Sequence, residues 1–221
     1  MLLTIPESLL LLSRKNETGE KQGQFVEYAL AGGAIADLML RGRLEPVPDK
    51  PKKMQVRDGT STGDRFLDGC LNAIQRIGSG KDISRYVSKL ASKSRLMREQ
   101  AASLVDRGVL REKERSFLVF SWTNYPEADG SVEANLVAHL ARVMFEGQEP
   151  SAEDCVAVAL AEKTGLLNRN FDKKLLREHK ARLKEIKEGS LEPAKATLKA
   201  IDAVLVAIIA ASTVTTAATA S

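Results

Sequence analysis

The sequence predicts a mainly α protein. We expect a single domain whose buried central helix lies in a helical bundle wrapped by amphipathic helices, with two small β-hairpins. Three observations carry this expectation. Residues Ala29–Ala36 place no charge on any helical face, and a helix apolar all round is a buried one. Residues 38–44 (Leu-Met-Leu-Arg-Gly-Arg-Leu) and 104–110 (Leu-Val-Asp-Arg-Gly-Val-Leu) repeat one pattern: an apolar helical end, a basic last turn, a glycine suited to a left-handed cap, and an apolar residue opening a strand. Hydrophobic residues make up 43% of the 221 and charged residues 28%, which describes a globular chain with too little strand-type composition for an all-β fold.

Taken in order, Thr4 and Glu7 form a capping box for a short helix ending at Leu12, and Arg14–Gln24 is a polar loop. Phe25–Leu40 is the central helix. Its Gly32-Gly33 pair weakens the helix itself and implies close approach of a neighbour. The first hairpin follows, over Glu45–Val56, turning through Pro48-Asp49-Lys50-Pro51. The phosphate-like run Thr60-Ser-Thr-Gly-Asp64 lacks the glycines and lysine of a P-loop and reads as a helix cap. Thr62 then starts a helix with Phe66, Leu67, Cys70, Leu71 and Ile74 on one side, ended by the Gly78-Ser79-Gly80 turn. Ile83, Tyr86, Val87 and Leu90 form the next apolar stripe, and a Lys93–Arg107 helix turns Met97, Ala101, Leu104 and Val105 inward. Ser131 caps a helix to Phe145, and Ser151 with Asp154 caps one to Lys163. A charged helix over Phe171–Glu188 with a thin apolar seam and a last helix over Leu191–Ala211 complete the bundle. Residues 1–213 are expected to form the domain and 214–221 a flexible tail.

The second hairpin is the unusual element. Its incoming strand, Arg111–Arg115, is wholly charged, whereas the outgoing strand Phe117-Leu118-Val119-Phe120-Ser121-Trp122 is apolar on both faces. A strand with one face in water would alternate. The ribbon either packs its apolar side chains against helices or offers them to something outside, and tryptophan is favoured at the headgroup level of a membrane.

The remaining features narrow the function classes. The net charge of +4 and a pI near 9.0 are compatible with an acidic partner such as lipid phosphate or nucleic acid. Cys70 and Cys155 fall on apolar helical faces and are expected as buried free thiols of a reducing compartment. No cofactor or metal is expected, because His139 and His179 lack Cys, Asp or Glu at ligand spacing, and no Ser–His–Asp or paired-carboxylate arrangement follows from spacing. The N-terminus does not read as a signal peptide, since Pro6 and Glu7 interrupt it and Arg14-Lys15 follow the apolar run. Ala203–Ala220 is uncharged but strongly apolar only over Val204–Ile209, which suits a buried helix better than a bilayer crossing.

Four blocks, in order and at matching spacing, resemble the Golgi phosphoprotein 3 family: Leu3–Leu12, Ala34–Leu44, Thr62–Asp68, and Leu104–Leu110 with Phe117–Phe120. The resemblance extends weakly to about Ala211. It implies a non-enzymatic, mainly helical peripheral membrane protein that binds phosphatidylinositol 4-phosphate, oligomerises, and engages the cytosolic tails of membrane proteins. The family pocket uses a tryptophan before the central helix, an arginine on it, and two arginines three residues apart ahead of the Gly-Val-Leu hairpin. Those positions are Gln22, Ala31, Ser94 and Met97 here, with Arg95 and Arg98 one residue along, a rotation of about 100° on a helix.

The favoured expectation is therefore a cytoplasmic, peripheral adaptor, at the cytosolic face of the Golgi if the source is eukaryotic. It would bind phosphatidylinositol 4-phosphate or other anionic headgroups through Lys93, Arg95 and Arg98, with Phe117, Leu118, Val119, Phe120 and Trp122 meeting the membrane or a second copy of the chain. A winged-helix nucleic-acid binder is the alternative, although neither candidate recognition helix is basic on an exposed face. A scaffold that keeps the fold without the phosphoinositide is the other.

Overall fold

In the computed structural model, the residues described are 3–14, 18–21, 23, 25–92, 95–117, 120–128, 130–188 and 206. Helix α1 (Ile5–Leu12) opens at the expected capping box: the Thr4 hydroxyl accepts the Glu7 N–H at 3.3 Å, and the Thr4 N–H donates to the Glu7 carboxylate at 2.8 Å. Every residue of α1 is buried. Its backbone ends must therefore find partners inside the protein. The Ile5 N–H donates to Asp37 at 2.9 Å, and the Leu12 carbonyl accepts the Asn170 side-chain amide at 2.9 Å.

Helix α2 (Val26–Leu40) is the central element expected, buried without a break from Ala29 to Leu38. A Cβ built on Gly33 would lie 3.0 Å from Leu9 Cδ1, 3.1 Å from Ile5 Cγ2 and 3.4 Å from Pro6 N. The missing side chain is what lets α1 lie directly on α2. Both repeated junctions end as the sequence predicts, with Gly42 at φ 67° and Gly108 at φ 72°. The Arg43 N–H returns to the Leu38 carbonyl at 2.8 Å, and the Val109 N–H to that of Leu104 at 2.9 Å.

After Gly42, strands β1 (Leu44–Val47) and β2 (Lys50–Val56) pair antiparallel around Pro48-Asp49, a tighter turn than Pro48–Pro51 because Lys50 already pairs with Val47. A two-residue strand β3 (Lys81–Asp82) adds to β2, so the first hairpin is part of a three-stranded sheet. The Tyr86 hydroxyl donates to the Gly78 carbonyl at 2.5 Å and helps fix that edge. Helices α3 (Arg65–Ile77), α4 (Ile83–Ala91) and α5 (Leu96–Asp106) then pack on the core. Strands β4 (Lys113–Phe117) and β5 (Phe120–Asn124) form the second hairpin. They lead to α6 (Ser131–Phe145), α7 (Ala152–Lys163), α8 (Leu167–Asn170), α9 (Lys173–Glu178) and α10 (Lys180–Glu188). The α2 helix is enclosed by α1, α3, α4, α5 and α7, and α10 lies on α6 and α7.

Several boundaries differ from expectation for local reasons. Asp64, not Thr62, caps α3, its carboxylate accepting the Leu67 N–H at 2.8 Å, while Thr62 bonds Asp68 in the preceding turn. Ser131 is the first helical residue of α6, and the Glu127 carboxylate accepts the Glu133 N–H at 3.2 Å in place of a serine cap. The Phe171–Glu188 helix is divided at His179, whose ring bonds the Leu175 carbonyl and packs 5.2 Å from the Phe145 ring. The largest revision concerns the second hairpin. Phe117 pairs with Phe120, so the chain reverses inside the run read as one apolar strand. That run contains no Gly, Pro, Asn or Asp to mark a turn. The expected Leu191–Ala211 helix, apart from helical Val206, and the 214–221 tail lie outside the described residues.

Replacing Gly33 with leucine should overpack the α1–α2 contact and destabilise the fold by about 1–3 kcal/mol, read as a lowered melting temperature. A Gly33→Leu protein that melts like wild type would show that α1 does not lie there.

Candidate membrane-binding surface

The sequence-predicted residues divide between α5 and the second hairpin. Arg95, the N-cap residue of α5, and Arg98 are exposed, while the intervening Leu96 is buried and Met97 partly so. The one-residue offset therefore places the two arginines toward solvent and the aligned methionine toward the core. Ala31 is fully buried in α2, where it packs and cannot reach a headgroup. Lys93, Gln22 and Ser94 lie outside the described residues, as do Leu118 and Val119. Trp122 is 49% exposed, which separates it from the core residues that precede and follow the hairpin.

The hairpin is anchored at its base. The Arg111 N–H donates to the Pro126 carbonyl and the Ala128 N–H to that of Val109, both at 2.9 Å. Tyr125 is buried there, and the Arg14 guanidinium sits 5.5 Å from its ring centroid while donating to the Gly19 carbonyl at 2.9 Å. Burial raises the Tyr125 pKa, with Glu112 acting in the same direction and Arg98 and Arg14 opposing, so the phenol stays neutral. The end of α1, the loop beyond it, the start of α5 and the hairpin base thus meet at one place. Arg14, Tyr125 and Gln100 were missed in the sequence. Gln100 is fully buried with no hydrogen-bond partner for either amide atom among the described residues, and no sequence periodicity signals that.

A second tie runs deeper. Glu7, fully buried in α1, pairs with Arg107 at the end of α5 across nearly half the chain. Glu133 on α6 faces Glu127, and burial followed by the Glu127 charge pushes its carboxyl up to about 7.

A cleft of about 630 Å³ lies between α1, α2, α6 and α7. Several of its polar groups are bonded to one another. Asp37 pairs with Arg41 at 2.6 Å, His139 with Asp154 at 2.8 Å, and the Ser151 hydroxyl accepts the Asp154 N–H at 3.0 Å. The histidine–aspartate pair comes from two helices, which spacing along the chain does not reveal. Ser151 is occupied as a cap, and no contact joins it to His139 as a nucleophile would require. Burial, with Asp154 second, pushes the Cys155 thiol up to about 11 and keeps it unreactive at neutral pH. Among the described residues no group of three or more His, Cys, Asp or Glu could hold a metal ion, and no helix is long and apolar enough to cross a membrane.

Residues 5–204 match the profile of the Golgi phosphoprotein 3 (GPP34) family. Vacuolar protein sorting-associated protein 74 of Eremothecium gossypii is 28% identical over 163 residues, covering 64% of this chain and 49% of that protein. The protein of the same name from Schizosaccharomyces pombe is 28% identical over 162 residues, covering 64% and 48%. The chain therefore spans about half the length of these curated relatives.

Two outcomes follow from this geometry. With its side chain half in water, Trp122→Ala should change folding stability by less than about 1 kcal/mol, where a core tryptophan would cost about 3–5 kcal/mol, and thermal melts distinguish the two. The neutral Glu133 carboxyl favours the fold fully below its ordinary range near 4.5, and this contribution is lost as pH rises through about 7. Wild-type stability should fall across that window by on the order of 2 kcal/mol, and Glu133→Gln should flatten the slope. An unchanged slope in the variant would assign the titration to another group.

Proposed function

The chain belongs to the Golgi phosphoprotein 3 family, and from that premise we propose that it is a non-catalytic peripheral adaptor that docks on anionic membranes. The contact residues are Lys93, Arg95 at the N-cap of α5, Arg98 within α5, and the run Phe117, Leu118, Val119, Phe120 and Trp122. The observation that carries this reading is the hairpin itself: the chain reverses between Phe117 and Phe120, within an uninterrupted apolar run, and the nearby Trp122 is half exposed. An apolar ribbon end with tryptophan beside it suits headgroup depth. The hydrogen bonds at its base hold it against the bundle, and exposed Arg95 and Arg98 add positive charge on the neighbouring helix.

The ligand is an anionic headgroup, phosphatidylinositol 4-phosphate or another, recognised mainly by charge. Ala31 is buried, and Met97 turns toward the core, so neither supplies the arginine that a headgroup pocket would use at those positions. Cytosolic tails of membrane proteins and a second copy of the chain are the partners this reading includes, with the cytosolic face of the Golgi as its site in a eukaryotic cell. The nucleic-acid alternative gains nothing from the geometry. Helix α2 is buried, and α5 balances Arg95 and Arg98 with Glu99 and Asp106.

Liposome flotation tests the proposal. An exposed basic residue near an anionic surface is worth about 1 kcal/mol, so replacing Arg95 and Arg98 with glutamine should weaken binding about 5-fold per residue. Raising salt from low to physiological should weaken it further, because the screening length shortens to about 8 Å. Discrimination among phosphoinositide isomers should be slight. Strong isomer selectivity that survives high salt would instead reveal a stereospecific pocket and overturn the electrostatic reading.

A further inference from the structure

We propose that the cleft formed by α7, α8, α9 and α10 is a second anionic-surface site, separate from α5 and the hairpin, that takes the phosphate headgroups of an anionic bilayer. The proposal rests on the membrane reading above. The net charge of the chain is +4, and residues 173–188 alone hold seven Lys and Arg against three Glu, also +4. The rest of the chain is balanced. Residues 95–106, by comparison, hold Arg95 and Arg98 against Glu99 and Asp106 and are neutral.

The tertiary structure gathers that charge around a concavity. Lys173, Arg177, Lys180, Lys184 and Lys187 line a cleft of about 550 Å³ together with Leu176 and Leu183. Lys187 is answered by Glu162 at 2.6 Å, and Lys184 reaches Glu188 only at 3.9 Å. Lys173 and Lys180 have no acidic partner among the described residues. Glu162 also lines the cleft and is paired with Lys187, so the remaining charged lining is positive, and a cleft with one sign of charge in excess focuses the field and draws anions. Leu176, half-buried, gives the cleft itself an apolar contact, and Leu175, 40% exposed and next to Lys174, lies on the same helix outside the cleft lining. Basic residues around an exposed leucine are the composition of a segment that lies at a membrane interface, whereas a purely ionic partner has no use for the leucine.

The test compares two sets of glutamine variants of the full chain, Lys173→Gln/Lys180→Gln/Lys184→Gln and Arg95→Gln/Arg98→Gln, with Trp122→Ala. Binding is read by flotation on phosphatidylcholine vesicles with and without phosphatidylserine. All three lysines are exposed, so the triple variant should melt as wild type, which circular dichroism checks. At about 5-fold per lysine, the triple variant should bind phosphatidylserine vesicles on the order of 100-fold more weakly. Wild-type affinity in a folded triple variant overturns the second site and leaves the hairpin reading standing. Loss in the triple variant with none in the arginine or tryptophan variants keeps this site and removes the hairpin. A wild-type protein that ignores phosphatidylserine vesicles refutes both readings, and its retention on a polyglutamate column would then assign the cleft to an acidic polypeptide.

Discussion

Burying α1 from end to end is the constraint on which the rest of the structure depends. A helix within the core has no water to satisfy its terminal N–H and carbonyl groups, and each group left unbonded costs about 1–3 kcal/mol. The chain meets this demand locally with Thr4 and Glu7, and from afar with Asp37 and Asn170. The distant partners fix α2 and α8 relative to α1. Gly33 sets how closely α1 and α2 approach, because a side chain there would occupy the space of Leu9 and Ile5.

The same constraint reaches the surface. Glu7 caps α1 and, being fully buried, needs a cation; Arg107 supplies it from the end of α5. Removing one member of such a pair strands a buried charge. Arg107 immediately precedes the glycine that turns α5 into the second hairpin, so the cap of the core helix also positions the junction that carries the hairpin. On the opposite flank of that hairpin, Glu127 caps the start of α6 while facing buried Glu133. The hairpin thus projects from a base tied to the interior on both sides, which gives its exposed Trp122 a defined place.

Charge follows a different logic from packing. Side chains within the bundle pair between separate helices, as the buried Glu7 does with Arg107 and the part-buried His139 with Asp154. The surplus positive charge collects instead on α9 and α10, of which α10 lies against α6 and α7 and α9 against α10. A protein built this way can change its outer charges without disturbing the core that fixes its shape. Family membership and headgroup chemistry can therefore separate: Ala31 stands in the wall of the core, and the exposed arginines stand elsewhere.

What the sequence determined by itself was whatever local chemistry dictates. The uncharged turns of α2 announce burial, Thr4 with Glu7 and Ser151 with Asp154 announce helix starts, and Arg-Gly twice announces a left-handed cap before a strand. These signals hold because each depends on residues within a few positions of one another. The tertiary structure decided what depends on neighbours distant in the chain. The reversal between Phe117 and Phe120 has no turn residue to mark it and is set by pairing that begins at Lys113 and Asn124. The strand at Lys81–Asp82 exists only because β2 offers it an edge. The contacts of Arg14 with Tyr125 and of His139 with Asp154 join separate elements, and Gln100 is buried by a helical face that looks mixed in sequence. Local hydrogen bonding and periodicity are written in short stretches of chain; burial and pairing across the fold are fixed only when those stretches meet.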